Sequence, residues 1–314
     1  MFKRISHCII KQSTLQHQKR LFTTRVHSPT SQRWMYMTGM TLIATGGCYF
    51  GWTYFNQYSN TLNNERYIPL KVMEKEQISP DSYRLRLSVA ATEDKPFPVP
   101  SCVYIKDDSI QVMRPYTPIN PDPYKDGFID LIVKRYQNGS ISRMLTDLQP
   151  NDKAYVRGPM VEEYEYKENS FDEVGMIAGG TGITPMYQLI RHILENPNDK
   201  DTQIWLIYGN KTLNDILLKS ELDQLQKRYS DRFKVKYVLE NPPSDNDNYE
   251  EGYITKEMIE EMMLNKPRKK IFVSGPDKML ASISGERAKD YSQGKLSGIL
   301  FQINLSSDKI WKFQ

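Results

Sequence analysis

Three short segments in the first half of the chain combine residue types that can bind a phosphorylated ring system. Residues 114–118 supply a cation for a phosphate (Arg114), an aromatic ring (Tyr116) and a hydroxyl (Thr117). In residues 132–136, strand alternation sets Lys134 and Tyr136 on one face. Residues 138–142 read as a glycine turn that opens a helix, whose free N–H groups suit a pyrophosphate. Each segment alone is more often an ordinary turn or strand, but their closeness favours a shared site.

A fourth candidate is the glycine-rich segment 179–185, Gly-Gly-Thr-Gly-Ile-Thr-Pro, which follows the apolar run 174–178. Thr184 suits a helix N-cap and Pro185 the first helical position. Ligands of parallel sheets bind at the carboxyl ends of the strands. A tight turn alone explains such glycines about as well, but the position between a strand and a capped helix favours a nucleotide site.

The elements that must position these residues change character near residue 170. Residues 67–170 show short runs of period two, interrupted by Pro and Gly, which predicts an antiparallel Greek-key barrel. From residue 171 to 314, strand patterns alternate with helical ones, which predicts a parallel sheet with crossover helices. The predicted fold class is therefore a β domain followed by an α/β domain.

Composition excludes several classes of protein. Residues 1–34 contain seven of the 42 basic side chains and no acid, so the remainder has 35 basic and 38 acidic residues, a net charge of −3. The basic character therefore belongs to the N-terminus and does not indicate nucleic-acid binding. After residue 48 the sequence has one cysteine, Cys102, and one histidine, His192. No disulfide, thiolate metal site, multi-histidine metal site or bis-histidine haem site is predicted.

The composition of the N-terminal segment is typical of a targeting sequence followed by a membrane anchor. Residues 1–34 are basic, rich in hydroxyls and free of acids, which predicts a mitochondrial presequence; the alternative is a disordered basic tail. Residues 35–55 are uncharged and as a helix would span about 31 Å, which predicts one transmembrane helix. The alternative for residues 35–55 is a cleaved signal or a buried hairpin. Residues 56–66 are predicted to be a polar tether. The expected location is a mitochondrial membrane, with the endoplasmic reticulum membrane as the alternative.

Two groups of motifs resemble the NADH–cytochrome b5 reductase family of the ferredoxin–NADP reductase superfamily. The barrel group is Arg-Pro-Tyr-Thr-Pro at 114–118, Lys-x-Tyr at 134–136 and Gly-x-x-Ser at 139–142. The second group is the segment 179–185 together with residues 207–212, 215–218, 252–255 and 274–279. The resemblance covers roughly residues 66–314. It implies an FAD-binding barrel at 67–170, followed by an NADH-binding domain at 171–314.

The resemblance also implies roles for single residues. Arg114 would pair with the FAD pyrophosphate, Tyr116 would lie against the flavin, and Thr117 would reach the flavin N5. Lys134 would lie near the nicotinamide nucleotide, and Tyr116, Thr117, Lys134 and Ser274 would be the catalytic residues. The FAD site would be completed by Val133, Tyr136, Gly139, Ser140, Ile141 and Ser142. Contacts with NADH would come from Gly179, Gly180, Thr181, Gly182, Thr184, Pro185, Gly275, Pro276 and Met279.

Glu240 follows the predicted strand 233–239, where an acid of the family faces the adenosine ribose. A carboxylate accepts hydrogen bonds from a 2′-hydroxyl and repels a 2′-phosphate, which predicts a preference for NADH over NADPH. The alternative is an ordinary solvated loop acid. The sequence departs from the family at Ser274, where the family has Cys, and at Ser140, where it has Lys. The first change predicts a slower hydride step, and the second removes a cation from the acceptor side.

The predicted function is hydride transfer from NADH to FAD, followed by transfer of single electrons to a haem protein such as cytochrome b5. An acidic acceptor of this kind would be attracted to Lys134, Arg135, Arg143 and Lys153, although these cations are equally compatible with plain barrel surface. One alternative is another acceptor, such as a ferric chelate or a quinone. Another is a degenerate, membrane-tethered interaction protein that keeps FAD as a structural ligand.

Overall fold

The structure is a computed structural model. It describes residues 61–92, 96–107, 111–161, 164–244, 248–290 and 292–313. The predicted leader, the predicted transmembrane helix at 35–55 and the first five residues of the predicted tether lie outside these residues. Within the described ranges, no helix has the length and apolar character needed to cross a bilayer.

The first sheet is antiparallel and has six strands in the order β4-β3-β6-β1-β2-β5. The strands are β1 (Ile68–Ser79), β2 (Ser82–Ser88), β3 (Ser101–Asp107), β4 (Val112–Tyr116), β5 (Phe128–Lys134) and β6 (Lys153–Val161). The last strand, β6, returns to lie between β1 and β3, a long connection that is typical of Greek-key sheets. The sheet therefore confirms the predicted antiparallel β domain.

The core of this barrel follows from the alternation of side chains along its strands. On β1, Leu70 and Val72 are fully buried, and Leu85 and Leu87 of β2 are buried in the same cluster. Two helices border the barrel, α1 (Pro123–Asp126) and α2 (Ser140–Asp147). The apolar face of α2 adds Ile141 and Leu145 to the same core, so the start of α2 is packed against the barrel.

The second sheet is parallel, with six strands in the order β10-β9-β8-β7-β11-β12. The strands are β7 (Glu173–Gly179), β8 (Gln203–Asn210), β9 (Phe233–Leu239), β10 (Glu250–Glu251), β11 (Lys269–Ser274) and β12 (Ile310–Lys312). The helices are α3 (Ile183–Glu195), α4 (Lys219–Arg228), α5 (Lys256–Met262), α6 (Asp277–Ile283) and α7 (Gly298–Gln302). Every residue of β7 is buried, as expected for a central parallel strand covered on both faces. The predicted parallel α/β domain is confirmed.

The two sheets are joined by a continuous apolar core. Val99, Ile119 and Ile132 of the barrel belong to the same buried cluster as the apolar face of α3. A hydrogen bond lies within this contact, from the Ser101 main-chain N–H to the Gln188 side-chain oxygen at 3.0 Å, and both residues are buried. The predicted boundary at residues 170 and 171 stays a prediction; it falls in the connection between β6 and β7.

We predict that Gln188→Ala lowers the free energy of unfolding by about 2 kcal/mol, because it leaves the buried Ser101 N–H without an acceptor and opens a cavity. Chemical denaturation of the full chain measures the change. Gln302→Ala, an exposed truncation on α7, is the control and should have an effect within about 0.5 kcal/mol. An unchanged stability of the Gln188 variant would show that this bond does not support the contact between the sheets.

Candidate active site

A cleft of about 1040 Å³ lies between the barrel and the parallel sheet. One wall comes from β4, β5 and the start of α2, and the other comes from the carboxyl ends of β7, β8, β9 and β11. The cleft collects all but one of the predicted site residues: Arg114, Tyr116, Thr117, Lys134, Tyr136, Gly139, Ser140, Ile141, Ser142, Gly179, Gly180, Thr181, Gly182, Thr184, Pro185, Glu240, Ser274, Gly275, Pro276 and Met279.

The exception is Val133, whose side chain is fully buried in the barrel core. Strand alternation explains this, because Lys134 faces the cleft and its immediate neighbour must face the other way. Ile132, two residues before Lys134, lines the cleft instead. The same alternation that places Lys134 and Tyr136 on one face therefore also places Ile132 there, a site residue that was not among those predicted.

The barrel wall ends in a turn that is fixed by Ser142. The Ser142 hydroxyl accepts a hydrogen bond from the Tyr136 main-chain N–H and donates one to the Gly139 carbonyl, both at 3.2 Å. A Cβ on Gly139 would lie 2.4 Å from the Ser142 hydroxyl, so a side chain at this position would displace the hydroxyl and break its hydrogen bonds. Gly139 is the N-cap of α2 and gives no side-chain bond, which leaves the first N–H groups of this helix available to an anion.

The opposite wall is the glycine turn between β7 and α3. Gly180–Gly182 forms one turn of 3-10 helix, and Gly180 adopts φ +53° with open space where a Cβ would lie. A Cβ on Gly182 would lie 2.3 Å from the Ser274 carbonyl oxygen, so the turn packs directly on the end of β11. The Tyr208 hydroxyl donates to the Gly180 carbonyl at 2.9 Å and supports the turn from below.

The predicted N-cap of α3 is wrong. The helix begins at Ile183 with Gly182 as N-cap, and Thr184 and Pro185 lie within its first turn. The 3-10 turn runs straight into the helix, so the Thr184 hydroxyl is not needed as a cap and donates to the Thr181 carbonyl at 3.2 Å. No side chain caps α3, but its first N–H, that of Ile183, donates to the Gly180 and Thr181 carbonyls, and Pro185 has no N–H, so the start of this helix is not an open anion site like that of α2.

Lys134 bridges the two walls of the cleft. Its ammonium lies 3.1 Å from a carboxylate oxygen of Asp81 in the barrel and 3.3 Å from one of Asp215 in the α/β domain. The other oxygen of Asp215 accepts hydrogen bonds from the N–H (3.1 Å) and the hydroxyl (2.7 Å) of Thr212. A role for Asp215 could not be predicted, because nothing in the sequence shows that it meets Lys134.

The pKa values of this bridge keep it charged. Partial burial opposes the charged form of Lys134, but the hydrogen bonds and charges of Asp81 and Asp215 outweigh it and raise the pKa of Lys134. Burial alone would raise the pKa of Asp215, yet hydrogen bonds from Thr212 and Lys134 lower it. The bridge is therefore ionised on both sides throughout the neutral range. Burial also raises the pKa of Tyr116 well above its ordinary value, so its phenol stays neutral.

The far end of the cleft lies beyond β8 and β9. Glu240 follows β9 and its N–H donates to the Asn210 carbonyl at 3.0 Å. Tyr253, which also lines the cleft, is 74% exposed, so its ring is open to a ligand. Phe313 lines the cleft too, held by a 2.9 Å bond from its N–H to the Val273 carbonyl. No role is predicted from the sequence for Tyr253 or Phe313, although Tyr253 lies in the motif at residues 252–255.

Comparison with known proteins agrees with this geometry. The sequence profile of the oxidoreductase FAD-binding domain matches residues 69–166, and that of the oxidoreductase NAD-binding domain matches residues 176–285. NADH-cytochrome b5 reductase 2 of Neurospora crassa is 39% identical over 258 residues, 80% of this chain and 74% of that protein. Its namesake from Aspergillus terreus is 39% identical over 263 residues, 81% of this chain and 80% of that protein.

The chain belongs to the NADH–cytochrome b5 reductase family. It is an FAD-dependent oxidoreductase whose cofactors are FAD and NADH. Among solved structures, it is similar to the cytochrome b5 reductase domain of Ulva prolifera nitrate reductase, with a TM-score of 0.68 and 28% identity over 80% of this chain and 99% of that one. The CS-b5R domains of human Ncb5or, at 22% identity and a TM-score of 0.63 over 79% of this chain and 69% of that one, share the fold.

The residues of this reductase fit both cofactors. On the barrel side, the uncapped start of α2 and the guanidinium of Arg114 suit the FAD pyrophosphate, and the half-buried ring of Tyr116 suits a flat aromatic system. On the other side, the open space at Gly180, where no Cβ projects, suits the close approach of a dinucleotide to the glycine turn. Ser274 is 2% exposed beside the glycine turn, so its small side chain leaves the nucleotide wall intact.

We predict that Gly182→Ala weakens NADH binding at least tenfold, or about 1.4 kcal/mol, because a Cβ cannot fit against the Ser274 carbonyl unless the wall opens. Titration of the flavin protein with NADH measures the change, and FAD content should be retained. Gly209→Ala is the matched control, since its Cβ would find only ordinary contacts, the nearest with Ile254 at 3.5 Å. Equal affinities of the two variants would contradict the assigned role of the turn.

Proposed function

We propose that this reductase takes hydride from NADH onto FAD and passes single electrons to an acidic haem protein of the cytochrome b5 type, while held at a membrane by its N-terminal segment. The observation that carries the proposal is the convergence of two groups on facing walls of one cleft. Tyr116 and Thr117 come from the barrel, and the glycine turn at 179–182 comes from the parallel sheet.

In this reaction the residues of the cleft bind and position the two cofactors. Bound FAD supplies the ring that accepts hydride and releases single electrons. Thr117 offers a hydroxyl to a ring nitrogen, Tyr116 offers a neutral aromatic surface, and Lys134 offers a fixed cation between the walls. Because hydride transfer requires positioning rather than a protein nucleophile, the reaction is compatible with a sequence that has one histidine after residue 27.

The first test is anaerobic reduction of the purified full chain. We predict a yellow protein that bleaches rapidly with NADH and much more slowly with NADPH. Glu240→Gln should lower the ratio of the bleaching rate with NADH to that with NADPH about tenfold, or about 1.4 kcal/mol, because it removes the charge that repels a 2′-phosphate. Glu251→Gln, an exposed acid on β10, is the control and should keep the original preference.

A yellow protein that NADH does not bleach would refute the proposed catalysis. It would favour instead the alternative in which FAD is a structural ligand of an interaction protein. That alternative is supported by Ser274 and Ser140, at both of which the sequence departs from the family. A colourless protein would contradict both.

The proposed acceptor surface is the exposed end of α2. Arg143 is exposed there, and Arg135 is nearby, paired with Asp147 at 2.7 Å. The other two cations of the predicted set have different surroundings. Lys134 is engaged by two carboxylates in the cleft, and Lys153 lies at the start of β6, opposite Lys71. The acceptor surface is therefore proposed around Arg143 and Arg135 alone.

We predict that Arg143→Glu lowers the rate of cytochrome b5 reduction about threefold to tenfold at low salt, and less at high salt, because it repels an acidic partner. Stopped-flow mixing with cytochrome b5 measures the rate. Lys227→Glu on α4 makes the same charge change away from the cleft and should leave the rate unchanged. Reduction of a small neutral quinone should be equal in all three proteins. A ferric chelate or quinone as natural acceptor would show no dependence on Arg143.

We place the reductase in a mitochondrial membrane, as a single-pass protein. The support is the acid-free basic leader at 1–34 and the uncharged segment at 35–55. The endoplasmic reticulum membrane is the alternative location, for which the same uncharged segment would serve as anchor.

A further inference from the structure

One outer face of the barrel combines cations with aromatic rings. It is formed by β1, β3, β4 and β6, and we call it the tyrosine–lysine face; its defining residues are Tyr67, Lys71, Lys106, Lys153, Tyr155 and Arg157. The strand segments that carry it, residues 67–71, 104–106, 113–115 and 153–157, contain no Asp or Glu. Every charged side chain on these segments is therefore a cation.

Two lysines oppose each other directly on this face. Lys71 of β1 is the antiparallel partner of Lys153 of β6, and both are exposed. Like charges at directly opposed positions of an antiparallel pair are destabilising. A pair of this kind is relieved when the face lies against an anionic surface.

The remaining cations lie over tyrosine rings. The Lys106 ammonium is 5.0 Å from the centre of the Tyr67 ring and 5.7 Å from that of Tyr155, and the Arg157 guanidinium is 5.2 Å from Tyr67. Beside them, Met113 is 46% exposed and Tyr155 is 39% exposed. Long cations, tyrosines and exposed apolar side chains together are the composition of a surface that lies in the headgroup region of a bilayer.

The other half of the same sheet is built differently. On β2, Arg84 and Arg86 both pair with Asp130, at 2.7 Å and 2.8 Å, and Arg86 also pairs with Glu74 at 3.2 Å. Those cations are neutralised within the protein, as on an ordinary solvated face. Lys71, Lys153 and Arg157 of the tyrosine–lysine face make no such ion pair with a described residue, so their charge is available to an external partner.

The chain enters the fold beside this face. Leu62 is buried in the barrel core, and the Asn63 carbonyl accepts a 2.8 Å hydrogen bond from the Gly158 N–H, next to Arg157. Only residues 56–61 separate Leu62 from the predicted anchor at 35–55, and six extended residues span at most about 20 Å. A bilayer that holds the anchor is therefore within reach of the tyrosine–lysine face.

We infer that the tyrosine–lysine face rests on an anionic lipid surface, with phosphate headgroups between its cations and with its tyrosines and Met113 at the interface. This inference rests on the anchor of the proposed function. Membrane contact through this face would leave the end of α2 and the cleft to the soluble partners. Each Lys or Arg near an anionic membrane contributes roughly fivefold to partitioning, so several together orient the protein.

The test is hydroxyl-radical footprinting of the full chain in nanodiscs made of phosphatidylcholine, with and without phosphatidylglycerol. We expect Met113 and Tyr155 to be oxidised about fivefold more slowly in the anionic discs. Tyr253 and Phe301, which are exposed in the α/β domain, are internal controls and should react equally in both. The double variant K71E/K153E should lose the protection, because it keeps a like-charged pair but reverses its sign. The control variant K227E/K234E makes the same charge change on the α/β domain and should keep the protection of Met113 and Tyr155.

The other outcomes separate this inference from the proposed function. Equal oxidation of Met113 and Tyr155 in both kinds of disc would overturn the inferred lipid contact, but would not contradict the proposed transmembrane anchor. Protection that is already present in detergent would also overturn it, because the N-terminal segment or a second copy would then cover the face. If the chain does not enter nanodiscs, the proposed transmembrane anchor is refuted. In that case, binding of the wild-type protein but not of K71E/K153E to anionic vesicles would still support the inferred lipid contact of the tyrosine–lysine face. Binding to neither would refute both, while bleaching by NADH reports on catalysis independently.

Discussion

Apolar side chains of α3 pack between the parallel sheet and the barrel, and this contact sets the separation of the two walls of the cleft. The core that Val99, Ile119 and Ile132 share with α3 is continuous, so the barrel and the α/β domain pack directly against each other. The glycine turn is part of the same construction, because it runs directly into α3. The distance between a flavin on one wall and a nucleotide on the other is therefore built into the packing before any ligand binds.

Much of this arrangement could be predicted from the sequence, because the signals are local. Period-two runs mark the barrel strands, and a change to alternating strands and helices marks the second domain. The glycine segment at 179–185 and the turn at 139–142 each carry their own requirement for bare backbone, which the close contacts at Gly182 and Gly139 make concrete. Local requirements of this kind can be recognised without knowledge of the fold.

The parts that could not be predicted depend on residues distant in the sequence. Asp215 meets Lys134 only after both domains have formed, and Phe313 reaches the cleft only because β12 pairs with β11. The wrong N-cap of α3 has a related cause: Thr184 is a good cap by type, but the preceding turn is already helical and makes a cap unnecessary. Val133 was assigned with its neighbours, although alternation places its side chain in the core.

The contact between Gly182 and Ser274 explains how the family's cysteine can be exchanged without damage to the fold. Gly182 packs on the carbonyl oxygen of Ser274, and this main-chain atom is the same whichever side chain is present. Mutation at this position therefore alters the polarity and softness of one atom beside the nucleotide, while the wall itself keeps its shape. Substitutions at position 274 can therefore change the rate of hydride transfer without a loss of cofactor binding. Related reductases can differ in turnover rate through this one side chain.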